Sequence, residues 1–147
     1  PERATISGTK WAASSAMLIL PGNGIWDGAE FDPFLEKTRE FLAAGTPVAA
    51  ICGATGGLAR GGILDDRAHT SNAAEFLAST GYAGGDNYVD RPAVIDGDLI
   101  TASGICPVEF AAAIFERLEL YEPEVRESWF KLYGNHAPAG FYELMEV

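Results

Sequence analysis

Val48-Ala49-Ala50-Ile51-Cys52-Gly53-Ala54-Thr55 is the stretch of this chain that says most about its fold. Its first half is a short, continuously apolar run, which is typical of a β-strand buried on both faces of a sheet. A cysteine follows, and small residues stand on both sides of it. A tight strand-to-helix turn leaves no room for bulky neighbours, and such a turn, a nucleophile elbow, exposes its central side chain at the carboxyl edge of the sheet. We therefore predict a nucleophile elbow centred on Cys52.

Two interpretations of Cys52 compete. At the start of a helix the aligned peptide dipoles stabilise a thiolate, which would make this cysteine a nucleophile. Alternatively, Cys52 is a small buried hydrophobic residue, because free cysteine is among the most buried residue types. The glycine and alanines that flank it favour the elbow.

The segments around this stretch have the order strand, helix, strand. Residues 16–20 form another short apolar run, and we expect this strand also to be buried on both faces. An apolar stripe with helical spacing begins at Phe31, with Asp32 as the expected N-cap and Gly45 closing the helix. Residues 47–52 form the second strand. A short connection at each end makes this a βαβ unit, whose strands are parallel.

The rest of the chain continues the alternation of strands and helices. Residues 67–71 are expected to form a brief strand, and residues 72–80 a helix capped by Asn72. Asp96-Gly97 predicts a β-hairpin turn, and further helices are expected over residues 107–120 and beyond Pro123. No repeat or linker interrupts the sequence. We predict a single α/β domain with a mostly parallel sheet over residues 1–147.

Composition excludes several classes of function. The chain has 147 residues, 48% of them hydrophobic, which is enough for one buried core. Ten basic residues against 21 acidic ones give a net charge of −11, and without a basic cluster we expect no nucleic-acid or membrane partner. Two cysteines do not make a disulfide framework, and no apolar run is long enough to span a bilayer. We expect a cytoplasmic location.

Candidate binding residues lie near the predicted elbow. The Gly22-Asn23 turn follows the first strand, so its backbone N–H groups and that of Gly53 are candidates for holding an oxyanion beside Cys52. Taken alone, a glycine-rich turn between elements is weak evidence. Trp26 is a candidate for contact with a substrate, although large aromatic residues belong more often to a core or a dimer interface.

The remaining reactive side chains are few. Only two histidines are present, and His69, which follows the elbow helix, is the candidate base, while His136 is expected to be structural. Cys106 also precedes a predicted helix, but no reactive residue lies near it in the sequence. The spacing of Cys, His, Asp and Glu matches no metal site, and no phosphate-binding glycine motif is present. We expect neither a metal nor another cofactor.

Several of these segments together resemble a known family. They are Leu18-Ile19-Leu20-Pro21-Gly22, the elbow stretch 48–55, residues 62–72 with Asp65-Asp66-Arg67-Ala68-His69, Asp96-Gly97-Asp98-Leu99-Ile100-Thr101-Ala102-Ser103-Gly104, and Pro107-Val108-Glu109-Phe110-Ala111. In order and spacing they are similar to the ThiJ/PfpI superfamily of class I glutamine amidotransferase-like proteins. The resemblance is strongest to the bacterial branch named for intracellular proteases or amidases.

The resemblance implies a flavodoxin-like three-layer sandwich that forms a homodimer. It also implies that Cys52 is the nucleophile and that the backbone at Gly53 and at Gly22-Asn23 holds the oxyanion. Two departures leave the base open. Many family members have histidine directly after the nucleophile, where this chain has Gly53, and others have it at the Asn72 position, three residues after His69.

A third departure concerns the beginning of the chain. Family members normally begin with a strand, a helix and another strand, and this region supplies a glutamate that hydrogen-bonds the nucleophilic thiol. The sequence begins at Pro1 without it. We therefore expect that the N-terminal segment is missing, that a separate chain supplies it, or that the site is reduced and inactive.

Two functions stay open at this level. The first is a cysteine-dependent hydrolase or lyase that acts on a small carbonyl or amide substrate, as a protease, an amidase or a glyoxalase-like enzyme. The second is a redox-sensing or chaperone-like stress protein that uses reversible oxidation of Cys52. An exposed thiolate serves both, and fold alone does not choose between chemistries.

Overall fold

A computed structural model describes residues 10–24 and 26–147. The strands are β1 (Leu18–Leu20), β2 (Val48–Ile51), β3 (Ala93–Asp96) and β4 (Leu99–Ala102). The helices are α1 (Lys10–Ser14), α2 (Asp32–Ala43), α3 (Gly53–Arg60), α4 (Ala74–Ala78), α5 (Pro107–Arg117), α6 (Pro123–Tyr133) and α7 (Ala139–Met145). Within these described residues, no helix is long and apolar enough to cross a membrane.

The sheet has the order β1-β2-β4-β3 and is mostly parallel, as the sequence predicts. β1 pairs with β2 and β2 with β4 in parallel, whereas β3 pairs with β4 in antiparallel fashion. The predicted hairpin is confirmed, with its two-residue loop at Gly97-Asp98, one position later than expected, because Asp96 still pairs with Leu99. Gly97 has a φ of 59°, a left-handed conformation that glycine adopts at little cost.

Helices cover both faces of the sheet. On one face Val48, Ala50 and Leu99 pack with side chains of α2 and α3, including Leu35 and Leu58. On the other face the sheet packs against α5; this smaller cluster consists of Ala49, Ile100, Ala102, Phe110 and Ala113. The central strands β2 and β4 are therefore enclosed, and their carboxyl ends lie together.

The first strand differs from the expectation. It covers Leu18–Leu20 rather than residues 16–20, and it is not buried on both faces, since Ile19 is 52% exposed. β1 is the end strand of the described sheet, and Ile19 lies on the same face as its register partner Ala49. The α5 layer packs on Ala49 but leaves Ile19 exposed.

Two predicted helix caps are wrong. Asp32 is the first helical residue of α2 rather than its N-cap, and its carboxylate pairs with Arg60 on α3 at 2.9 Å. Asn72 does not cap the next helix, because α4 begins at Ala74 and has Ala73 in the cap position. The helix at 72–80 is thus shorter than expected. The brief strand at 67–71 is reduced to one bridge, between His69 and Tyr88.

Candidate active site

Cys52 stands at the turn from β2 into α3 in a conformation that side chains rarely adopt, with φ 58° and ψ −128°. Such backbone costs about 1–3 kcal/mol and persists only where its surroundings hold it. Here the Cys52 N–H donates to the carbonyl of Ala102 at 3.0 Å. The Cys52 carbonyl accepts from the Thr55 hydroxyl at 2.6 Å, and that hydroxyl in turn meets Ser71 Oγ at 2.6 Å. These bonds fix the strained turn predicted from the sequence.

Three glycines allow the chain to approach this turn closely. A Cβ at Gly22 would lie 2.6 Å from Cβ of Cys52, and a Cβ at Gly104 would lie 2.7 Å from its Sγ. A Cβ at Gly53 would lie 1.9 Å from the carbonyl oxygen of Asn23. No side chain fits at these positions without displacing its neighbours, so the turns after β1, β2 and β4 meet at the thiol.

The Asn72 side chain contacts the thiol. Its Nδ2 donates to Cys52 Sγ at 3.5 Å, and its Oδ1 accepts from the Gly104 N–H at 2.8 Å. The segment that carries it is held along the end of β4, where the Thr70 N–H donates to Thr101 Oγ1 at 2.9 Å. The amide therefore bridges the elbow and the turn after β4.

His69 lies three residues earlier and is not brought to Cys52. Its side chain is fully buried, Nδ1 donates to the carbonyl of Arg67 at 2.7 Å, and Nε2 accepts from the hydroxyl of Tyr82 at 3.0 Å. The Tyr82 pKa is raised by burial and by the nearby Tyr88 and Asp65, so this hydroxyl keeps its proton and remains a donor. His136 is exposed in the connection between α6 and α7.

A cavity of about 810 Å³ opens beside Cys52. The predicted binding residues Gly22, Asn23, Gly53 and Trp26 all line it, so the structure brings these four together with the cysteine. Trp26 belongs equally to the core: it is 6% exposed and its Nε1 donates to the carbonyl of Pro21 at 3.1 Å. The core and binding interpretations of this residue are therefore compatible.

Three other lining residues have no role in the predicted site. They are Phe76, Arg60 and Gly104. Gly104 lies two residues after the end of β4, and this position is the signal that could have pointed to it. Phe76 and Arg60 look like ordinary helical positions, and only the packing of α3 against α4 and β2 gives them this place.

Cys106 has a different environment. It is half-buried outside the cavity, and its pKa is raised, mainly by burial and also by the Glu109 carboxylate, while the Ser103 hydroxyl acts weakly in the opposite direction. This thiol therefore stays protonated at neutral pH. Over residues 10–24 and 26–147 no group of three or more His, Cys, Asp and Glu side chains is placed to hold a metal.

Two curated proteins are similar to this chain over most of its length. The sequence is 42% identical over 136 residues to the Uncharacterized protease YoaZ of Bacillus subtilis (strain 168), covering 91% of this chain and 65% of the relative. It is 30% identical to the Uncharacterized protease YdeA of the same strain, again over 91% of this chain, and 66% of that relative. The chain thus spans just under two thirds of the length of these curated relatives.

Solved structures show the same fold. A thiJ/pfpI family protein from Bacillus anthracis superposes with a TM-score of 0.85 at 42% identity, over 88% of this chain and 62% of that protein. The DJ-1 superfamily protein Atu0886 from Agrobacterium tumefaciens gives 0.73 at 32% identity, over 85% and 68%. The family described as DJ-1/PfpI matches residues 5–117. By sequence and by fold, the chain belongs to the DJ-1/PfpI family.

Proposed function

We propose that this chain carries the reactive centre of a cysteine-dependent hydrolase or lyase that acts on a carbonyl or amide substrate. The observation that supports this most is Cys52, held at a strained elbow with its thiol beside an open cavity. The word protease in the names of two relatives agrees with a hydrolase, although those names belong to longer proteins.

In the proposed first step the Cys52 thiolate attacks the carbonyl carbon of the substrate. A C–S bond forms, and the π electrons of the C=O bond move to its oxygen. The Cys52 N–H is already bonded to Ala102, so the oxyanion would be held by backbone N–H groups of Gly53 and of the Gly22-Asn23 turn.

We assign proton transfer in this reaction to water. Both ring nitrogens of His69 are occupied at a distance from the cavity, and the Asn72 amide does not titrate. Asn72 acts instead as a positioning residue, because its Nδ2 donates a hydrogen bond to the sulfur.

Loss of the nucleophile tests the proposal. Turnover of methylglyoxal, an isonitrile and a peptide amide would be compared for the wild type, Cys52→Ala and the matched control Cys106→Ala. We expect activity on one of these classes to fall by at least about a thousandfold in Cys52→Ala and to persist in Cys106→Ala. Full activity of Cys52→Ala on all three would refute a catalytic cysteine.

The second candidate is redox sensing. The same thiol faces the cavity with an amide donor at 3.5 Å, a group that would also hydrogen-bond a sulfenate oxygen. Hydrogen peroxide would transfer one oxygen atom to the Cys52 thiolate and leave as water. Intact-protein mass after mild peroxide treatment tests this: a single oxygen on Cys52 that a thiol reductant removes supports sensing, and no selective addition argues against it.

The assembly expected from the resemblance is part of the same proposal. We propose a homodimer. Sedimentation of this chain tests this, since a monodisperse dimer is expected and a monomer would contradict it.

A further inference from the structure

The cavity extends well past the cysteine. Cys52 precedes α3 and Arg60 ends it, eight positions later, and both side chains line the same cavity. At about 1.5 Å per residue the two ends are about 12 Å apart along the helix. This is far more length than a two- or three-carbon carbonyl compound fills.

The wall between the two ends is apolar. Gly56 and Gly57 of α3 leave room for aromatic rings, because a Cβ at Gly56 would lie 2.8 Å from the ring of Phe76. At Gly57 it would lie 2.6 Å from the ring of Trp26. Both residues line the cavity, so a ligand that runs along α3 would contact aromatic side chains.

Arg60 has hydrogen-bonding capacity left over. Its Nη2 pairs with Asp32 at 2.9 Å and donates to the Gly28 carbonyl at 3.3 Å. Its Nε, by contrast, is buried and has no partner in the part of the chain that the structure describes. A buried N–H without an acceptor costs about 1–3 kcal/mol, so this guanidinium is suited to an incoming acceptor.

The other charged residue of the cavity wall repels an anionic ligand only weakly. Asp27 is exposed, where solvent weakens its field, whereas the Arg60 side chain is only 28% exposed. A carboxylate matches the planar donor edge of a guanidinium better than a neutral carbonyl does.

We propose that the cavity binds an elongated acyl compound whose electrophilic carbon lies at Cys52 and whose carboxylate lies at Arg60. This rests on the proposed function and deepens it, because it assigns the substrate class. Arg60 sets specificity for an anionic end, and Trp26 and Phe76 contact the apolar stem.

The rate of maleimide addition to Cys52 tests the assignment. The thiolate adds to the C=C bond and water supplies the proton to the neighbouring carbon. The probes are 6-maleimidohexanoic acid, its neutral counterpart N-hexylmaleimide, and maleimidoacetic acid, which is too short to reach Arg60. In the wild type we expect the long acid to react about tenfold faster than the neutral probe, because one charge-assisted hydrogen bond has an effect of this size. The short acid should have no such advantage over the neutral probe.

Variants localise the effect. Arg60→Met is expected to abolish the preference for the long acid, Asp32→Asn to increase it by freeing Nη2, and Arg126→Met, on α6, to leave it unchanged. Using the ratio of two rates cancels any general change in thiol reactivity. Equal rates for the long acid and its neutral counterpart, or a preference that survives in Arg60→Met, would overturn the proposal.

Ligand binding to a variant that lacks the thiol tests the carboxylate site at Arg60 separately from catalysis by Cys52. The saturated probe 6-succinimidohexanoic acid would be titrated calorimetrically into Cys52→Ser and into Cys52→Ser combined with Arg60→Met. We expect binding in the first and at least about tenfold weaker binding in the second. Equal binding, or none in either, refutes the carboxylate site even if Cys52 proves catalytic, and binding lost with Arg60 supports it even if Cys52 proves inert.

Discussion

At the Cys52 thiol an amide side chain donates to the sulfur. Asn72 donates to the sulfur through Nδ2 and accepts from Gly104 through Oδ1, so its orientation is determined from both ends. An amide stabilises a neighbouring anion but exchanges no proton with it. In the proposed reaction Asn72 would therefore hydrogen-bond the sulfur, and it would not relay a proton.

Replacing that amide by a carboxylate reverses its effect. In Asn72→Asp a negatively charged oxygen takes the place of the Nδ2 donor. The other carboxylate oxygen still accepts from the Gly104 N–H. We expect alkylation of Cys52 by N-ethylmaleimide at neutral pH to slow by about tenfold, with the rate–pH profile moved to higher pH. Stopped-flow kinetics on both proteins measure this, with Asn87→Asp as the remote control. An unchanged profile would show that Asn72 does not act on the thiol.

Gly104 gives a second prediction for a single residue. In Gly104→Ala the new Cβ would lie 2.7 Å from Cys52 Sγ, and the thiol and Asn72 must both move. We expect a loss of about 1–3 kcal/mol in the free energy of unfolding, as overpacking causes, and a slower reaction of Cys52.

Gly85→Ala is the matched control for that variant. A Cβ there meets nothing within 4 Å, so its unfolding free energy should change by less than about 0.5 kcal/mol. Chemical denaturation measures both variants. Equal stability of Gly104→Ala and the wild type would contradict the close approach described here.

Among the secondary-structure elements, those with strong local patterns were predictable. The apolar run of β2, the small residues around Cys52 and the Asp96-Gly97 hairpin signal each match an observed element. The caps assigned to Asp32 and Asn72 failed for a common reason. Both side chains bind partners distant in sequence, Arg60 for one and Cys52 and Gly104 for the other, and local spacing carries no information about such contacts.

The junction of α6 and α7 gives a prediction for pH dependence. Glu143 on α7 accepts from Ser128 at 3.0 Å and pairs with Lys131, both on α6, and these hydrogen bonds lower the Glu143 pKa below its ordinary 4.5. A lowered pKa in the folded state stabilises the fold above pH 4.5, and this contribution is lost as the pH falls through the folded-state pKa.

Glu143→Gln should therefore have a lower Tm than the wild type at neutral pH, and the difference should shrink as the pH falls below 4.5. Glu127→Gln, on the exposed side of α6, serves as the control with little effect at any pH. Thermal unfolding followed by circular dichroism between pH 3 and 7 checks this. A difference that stayed constant over this range would mean that the ion pair does not link α7 to α6.

For the whole molecule, the site is a product of topology. The chain brings the ends of β1, β2 and β4 to one edge of the sheet, and the sequence predicts two of these three turns, at Gly22-Asn23 and at Cys52. It did not predict the third, at Gly104, or the cavity wall formed by Phe76 and Arg60. His69 seemed a plausible base because it is near in sequence, yet the segment 69–72 is held so that Asn72 reaches the thiol and His69 packs between Tyr82 and Tyr88.

The proposed chemistry requires Cys52 to be the reactive thiol of the chain. Competitive alkylation with limiting N-ethylmaleimide at pH 7, read by peptide mass spectrometry, compares it directly with Cys106, whose pKa is raised by burial. We predict that Cys52 is modified at least about tenfold faster, since its thiol faces the cavity at the start of α3. Modification of Cys106 at an equal or greater rate would contradict the account.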